Sequence, residues 1–157
     1  MTVSPKYQVI TPPNTLKAKL RGKVGFDAAS IAKAEEALAA LSDDFDAWLD
    51  EDVKRLEAAW TEAADKTDAD SLEPVYSVAH DVKGLGTTYN YPLVTWIAHS
   101  LCGLVETDEL RLKAPRPLLA AHVHAIRAAV RDQIKTDQHP VGKMLAEELE
   151  RQVDELK

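Results

Sequence analysis

The chain has 157 residues, a single cysteine and a formal net charge of −7. This length suits one domain with a sizeable core, and one cysteine excludes an internal disulfide and favours a reducing, cytoplasmic location. No apolar run approaches the roughly 18 residues of a membrane-spanning helix, and the acidic balance disfavours nucleic acid as a partner.

The charge is unevenly distributed along the chain. Residues 1–26 contain five basic residues and no acidic one, so all 26 acidic residues lie in the remainder. The same stretch has three prolines and two glycines but no sustained hydrophobic period. We therefore expect residues 1–26 to form a basic, irregular arm, and residues 27–157 to form a single helical domain.

Helical periodicity begins at Asp27, which is predicted to cap a helix that runs to about Leu41. Ser42 is a candidate cap for a second helix, but the apolar stripe continues through it, so residues 27–66 form either one long helix or two. The tryptophans lie at helical spacing among aliphatic residues and are predicted to be in the core, at Trp48, Trp60 and Trp96.

A capping box of Asp70 and Glu73 is predicted to open the next helix, which runs to about Tyr89. Asn90 follows as a predicted left-handed cap. Prolines mark the starts of three further helices, at Pro92, at Pro115 with Pro117, and at Pro140. No segment alternates with a period of two, so the predicted fold is all-α, an antiparallel helical bundle with short connections.

The helix that ends near Tyr89 presents an unusual group of residues on one face. With about 100° per residue, four residues lie within about 60° of His80, namely Tyr76, Lys83, Gly84 and Thr87. Valine and leucine side chains are predicted to be buried on the opposite face. Glycine inside a helix costs about 0.8–1 kcal/mol relative to alanine, so Gly84 indicates that something approaches His80 closely. Lys83 can neutralise a negative charge placed on the ring.

These residues resemble the core motif of the histidine-containing phosphotransfer (HPt) domain of bacterial-type phosphorelays, which reads roughly H-x-L-K-G-S-[SA]. His80, Lys83 and Gly84 match it, Val82 stands for the leucine, and Leu85 with Gly86 replaces the small polar pair. The resemblance covers about residues 42–136 and implies a four-helix bundle with additional N- and C-terminal helices. It implies that His80 accepts the phosphoryl group, that Lys83 stabilises its oxygens and that Gly84 gives the partner clearance.

The resemblance also implies the partner, which is the receiver domain of a response regulator or of a hybrid histidine kinase. That domain supplies an aspartyl phosphate and Mg²⁺, so we expect no cofactor or metal on this chain, and a monomer. Phosphoryl transfer depends on in-line positioning and charge neutralisation, and a neutral imidazole, with a pKa of about 6.5, is a good nucleophile near pH 7. Tyr76 and Thr87 are candidate contacts to the receiver because they share the face of His80.

Two alternatives to a phosphoryl carrier remain open. An HPt-like module can bind or sequester a receiver without efficient transfer. The dimerisation-phosphotransfer fold of histidine kinases is a further option, although Asp-Val-Lys-Gly follows His80 here, where that fold has acidic and Arg-Thr-Pro residues. The chain has no P-loop and no kinase-like glycine loop, so we expect a carrier and not a kinase.

Overall fold

The computed structural model describes residues 28–156, except for the side chains of Ser42 and Asp43. The basic arm and the predicted cap Asp27 lie outside the described residues. The chain divides into two units at residue 39. In the first of them, helix α1 spans Ala28–Ala40 and has no buried residue.

The second unit is built from helices, and the described residues contain no strand, which confirms the all-α prediction. A 3₁₀ turn at Asp70–Leu72 separates the first two of these helices. The helices are α2 (Ser42–Ala63), α3 (Glu73–Gly86), α4 (Pro92–Val105), α5 (Asp108–Lys113), α6 (Arg116–Arg131) and α7 (Pro140–Asp154). Residues 28–63 therefore form two helices. The short helix α5 was not predicted, and Thr107 caps it by accepting a hydrogen bond from the backbone N–H of Leu110.

The centre of the second unit is α4, which packs against α3, α6 and α7, while α2 packs against α3 and α6. Nine residues of α4 are buried, because it has helical neighbours on most of its circumference. Helix α2 contributes a stripe at steps of four and three residues, formed by Leu49, Val53, Leu56 and Trp60. None of the described helices is long and apolar enough to cross a bilayer.

The local predictions at the helix ends have mixed outcomes. The left-handed conformation of Asn90 is confirmed by its φ of 64°, and the predicted prolines lie in the first turns of α4, α6 and α7. The capping box is wrong, because α3 begins at Glu73, directly after Leu72, and no side chain caps it. Asp68, and not Asp70, accepts a hydrogen bond from a nearby backbone N–H, that of Ser71, at 2.8 Å. Glu73 is instead paired with Arg111.

The predicted burial of the tryptophans holds only in part. Trp60 is buried and Trp96 is half-buried, with its indole N–H donating to Glu150 at 3.1 Å. Trp48 is 45% exposed, so its placement in the core is wrong. The reason is that Leu49, one position along α2, takes the inward-facing place, and two consecutive helical residues point about 100° apart.

A buried polar pair joins α4 to α6. His122 is fully buried, with Nδ1 2.8 Å from the carbonyl oxygen of Leu118 and Nε2 3.0 Å from Oγ of Ser100. A carbonyl oxygen only accepts, so Nδ1 carries the proton and Nε2 accepts from the Ser100 hydroxyl. Burial lowers the pKa of His122, and the ring is therefore neutral in the folded protein at pH 7.

This pair predicts that acid destabilises the fold. The pKa of His122 is lower in the folded protein than in the unfolded chain, so the unfolded chain binds more protons below about pH 6.5. The contribution to stability is complete above about pH 6.5 and is lost as the pH falls, with a slope of at most ~1.4 kcal/mol per pH unit. Urea unfolding between about pH 7.5 and pH 5.5 measures it.

The exposed His124 of the same helix provides the control. We expect the free energy of unfolding of His124→Gln to change with pH as steeply as that of the wild type. In His122→Gln we expect this pH dependence to be smaller. If His122→Gln does not fold, NMR titration of the ring in the wild type gives the same information. A His122 ring that titrates at the ordinary pKa in the folded protein contradicts the prediction.

Candidate functional site

His80 lies in the second half of α3, on its solvent-exposed side. Among residues 28–156, its ring makes no hydrogen bond and no ion pair. The ring packs against that of Tyr76, with centroids 6.1 Å apart and planes tilted by 47°. Both ring nitrogens therefore have no competing bond among the described residues, and the imidazole can act as a nucleophile.

The sequence of α3 explains why His80 faces outward. The buried residues of this helix are spaced at four, three and four positions and form one stripe, Val75, Ala79, Val82 and Gly86. His80 follows Ala79 by about 100° and so leaves the stripe. The predicted burial of the valine face is confirmed for Val75 and Val82, while Val78 and Leu85 are half-buried.

Two shallow hollows flank His80. The first, which we call the Gly84 hollow, has a volume of about 390 Å³ and is lined by Arg55, His80, Asp81, Gly84 and Leu85. The second, the Tyr76 hollow, has a volume of about 220 Å³ and is lined by Glu73, Tyr76, Ser77, His80 and Asp81. The structure therefore brings Tyr76 and Gly84 beside His80, as the sequence predicted.

The two glycines of α3 have different environments. A Cβ atom added to Gly84 would have no neighbour within 4 Å among the described residues, so their packing does not require glycine there. A Cβ atom added to Gly86 would lie 2.6 Å from Oγ1 of Thr95 and 3.0 Å from its backbone nitrogen. Gly86 thus allows α3 to approach α4 closely, whereas Gly84 leaves open surface beside His80.

We therefore expect Gly86→Ala to destabilise the protein by about 1–3 kcal/mol, the usual cost of overpacking. The backbone of Thr95 cannot move without shifting α4, so the clash persists after side-chain relaxation. Gly84→Ala is the matched control in the same helix and should stabilise the protein by about 0.5–1 kcal/mol. Urea unfolding of both variants measures the difference, and equal effects would contradict this account.

Lys83 is half-buried and lines neither hollow. It lines a groove of about 400 Å³ together with residues of α4 and α7, among them His99, Cys102 and Glu150. Burial raises the pKa of the Cys102 thiol, and the charge of Lys83 opposes this rise. Because Lys83 is one turn from His80 and has a flexible stem, its ammonium can reach a group on the ring after a rotamer change.

Thr87, the other predicted contact residue, follows the last residue of α3 and is exposed. Its Oγ1 lies 3.0 Å from Oγ1 of Thr95, and it lines neither hollow. The structure therefore places the hydroxyl of Thr87 against α4.

Arg55 of α2 is a site residue that the sequence analysis missed. It lines the Gly84 hollow together with His80. Its side chain is 57% exposed, and Nη2 donates to Oδ1 of Asp52 at 2.6 Å. The sequence indicated that Arg55 is exposed, because it lies outside the buried stripe of α2. It did not indicate that Arg55 is the residue of α2 beside His80, since this depends on how α2 packs on α3.

A partly exposed aromatic cluster lies where α2 meets the turn after α3. The ring centroids of Phe45 and Tyr89 are 5.4 Å apart, and those of Phe45 and Trp48 are 5.7 Å apart. Trp48 lies two turns, or about 10 Å, from Arg55 along α2. A partly exposed aromatic surface is typical of a protein-binding site.

Arg111 packs against the ring of Tyr76. The guanidinium of Arg111 lies 5.6 Å from the centroid of the Tyr76 ring, and its Nε donates to the carbonyl oxygen of Val105 at 2.8 Å. Arg111 also forms an ion pair with Glu73 at the start of α3. The short helix α5 therefore supports the ring that packs against His80.

The described residues thus present the imidazole of His80 on an open helical surface, with Arg55 of α2 lining the hollow beside it and Lys83 one turn away on α3. They contain no group of three or more histidine, cysteine or carboxylate side chains arranged to hold a metal ion. Comparisons of the chain with protein-family models, with curated proteins and with solved structures find no match.

Proposed function

We propose that this protein is a phosphorelay intermediate, which carries a phosphoryl group on His80 to or from the aspartate of a receiver domain. The observation that carries the proposal is the setting of His80. Among residues 28–156 the ring is exposed and unpaired, and it lies beside a glycine that the packing of these residues does not need. The resemblance of His80, Lys83 and Gly84 to the HPt motif gives this setting its chemistry.

The helix contacts support an HPt-like four-helix bundle as the finer description of the fold. Helix α2 packs against α3, α3 against α4, α4 against α6, and α6 against α2, which closes a ring of four. The short connection between α3 and α4, residues 87–91, is typical of antiparallel neighbours. In this proposal α1 and α7 are the additional N- and C-terminal helices.

In the proposed reaction, the lone pair of a neutral ring nitrogen of His80 attacks the phosphorus of an aspartyl phosphate in line with the leaving oxygen. The new N–P bond forms as the P–O bond breaks, and the aspartate leaves as a carboxylate. The receiver contributes Mg²⁺. Lys83 turns from its groove towards the phosphoryl oxygens, and the contact with Tyr76 limits the rotation of the imidazole.

The receiver docks over His80 in this proposal. Gly84 leaves space for its approach, and the aromatic cluster of Phe45, Trp48 and Tyr89 supplies the apolar contact area. Thr87, exposed between Gly84 and Tyr89 in the sequence, belongs to the same docking surface. We propose that the protein acts in the cytoplasm as a monomer, as most HPt domains do.

One observation favours the second candidate function, a docking module that binds a receiver without efficient transfer. Lys83 lines the groove with Cys102 and not the hollows beside His80, so the ring has no lysine next to it at rest. Transfer then depends on the rotamer change of Lys83 or on another cation.

Incubation of the full chain with phosphoramidate tests the proposed function. We expect a phosphoryl adduct that is stable in base, is lost in acid and maps to the peptide containing His80. Intact mass and peptide mass spectrometry measure it. A folded protein that takes no phosphoryl group but still binds receiver domains would be a docking module instead.

A further inference from the structure

We propose that Arg55 contacts the phosphoryl group on His80, and that this group occupies the Gly84 hollow and not the Tyr76 hollow. The inference rests on the proposed function, because it concerns the phosphorylated state of the same histidine. The residue that contacts the phosphoryl group in the absence of a receiver is therefore on α2, whereas His80 and Lys83 are both on α3.

The first argument is the charge of the two hollows. The Tyr76 hollow is lined by the carboxylates of Glu73 and Asp81 and by no basic residue. The Gly84 hollow also includes Asp81, but it adds the guanidinium of Arg55. Glu73 is already paired with Arg111, as Arg55 is with Asp52, and Asp81 lines both hollows. A phosphoryl group carries a charge of about −1.5 to −2 at pH 7, and of the two hollows the Gly84 hollow is the one whose lining includes a basic residue, so it is favoured.

The second argument is space. The Gly84 hollow has about 390 Å³ against about 220 Å³ for the Tyr76 hollow. In the part of the chain that the structure describes, no atom lies within 4 Å of the position of a Cβ atom on Gly84. A tetrahedral phosphoryl group on the ring of His80 therefore fits on this side, where Tyr76 does not compete for the same volume.

The third argument is the way Arg55 is held. Its bond to Asp52, whose side chain is 14% exposed, uses one of five N–H donors, so the remaining donors are free to contact phosphoryl oxygens. Asp52 thereby holds the guanidinium near the hollow before any phosphoryl group arrives. Lys83 lines a different groove and must first change its rotamer.

Lys54 offers a matched control for removing the charge of Arg55. It is adjacent on α2, it is exposed, and it pairs with Asp50 at 2.6 Å in the same way, but it lines neither hollow. The experiment labels the wild type, Arg55→Ala and Lys54→Ala with phosphoramidate. It follows the rate of labelling by intact mass and the titration of the phosphoryl group by phosphorus NMR.

We expect labelling of Arg55→Ala to be about three- to tenfold slower than that of the wild type, the effect of one charge-assisted contact at a partly exposed site. We expect the pKa of the phosphoryl group to be higher in Arg55→Ala, since a nearby cation favours the dianion. Lys54→Ala should resemble the wild type in both measurements, and Arg55→Lys should restore part of the rate.

The outcomes separate this inference from the proposed function. A wild type that takes no phosphoryl group overturns both. A wild type that is labelled on His80, with Arg55→Ala equal to Lys54→Ala in rate and in phosphoryl titration, overturns the role of Arg55 and leaves the phosphorelay proposal standing.

Discussion

Replacement of His80 by glutamine is expected to abolish the acid-labile phosphoryl adduct completely and to leave the fold intact. The lone pair of the glutamine amide nitrogen is delocalised into its carbonyl, so it cannot attack phosphorus as the imidazole does. The fold should be unaffected because His80 is exposed and its ring contacts that of Tyr76 without a hydrogen bond or ion pair among the described residues. A change of at most about 0.5 kcal/mol in the free energy of unfolding is usual at such a position.

His99→Gln is the matched control for this variant. His99 is also exposed, and it lines the groove that contains Lys83. Intact mass after incubation with phosphoramidate should show wild-type labelling of His99→Gln and none of His80→Gln. An equal amount of acid-labile adduct on folded His80→Gln would mean that another residue is the acceptor.

The second large effect is expected at Gly84. Gly84→Arg should reduce phosphoryl transfer from a receiver domain by about 100-fold or more, which corresponds to about 2.7 kcal/mol of lost transition-state binding. The arginine side chain would extend into the space through which the receiver approaches. Labelling by phosphoramidate should change much less, because this donor is small enough to reach the ring past the side chain.

The fold of Gly84→Arg should be slightly more stable than that of the wild type. The Cβ atom of the added side chain meets no atom of residues 28–156 within 4 Å, and arginine has a higher helix propensity than glycine. Urea unfolding checks the stability, and rapid-quench kinetics with a phosphorylated receiver checks the transfer. Undiminished transfer from the receiver would contradict the role of Gly84 in clearance.

The face of α3 that carries His80 was predictable because a regular helix fixes the direction of each residue. The buried positions of Val75, Val82 and Gly86 follow from this periodicity, and so does the exposure of His80. The left-handed Asn90 was predictable for a local reason too, since few residues tolerate that conformation. These features depend on the backbone of one segment alone.

The features that were not predictable depend on more than one helix. Lys83 lies within about 60° of His80 on the helix, yet its side chain lines the groove beside Cys102, which α4 provides. Arg55 reaches the site only because α2 packs on α3. Trp48 and Leu49 are both apolar, and periodicity alone does not decide which of two neighbours is inside.

The exposure of His80 has a consequence for the lifetime of a signal. Water reaches an open surface as readily as a partner does, so a phosphoryl group held there is subject to spontaneous hydrolysis throughout its stay. No lid covers the ring among the described residues, whose hollows beside it are shallow. In the proposed function, the protein therefore transfers its phosphoryl group before the phosphohistidine hydrolyses, and it does not store the phosphoryl group for longer than that.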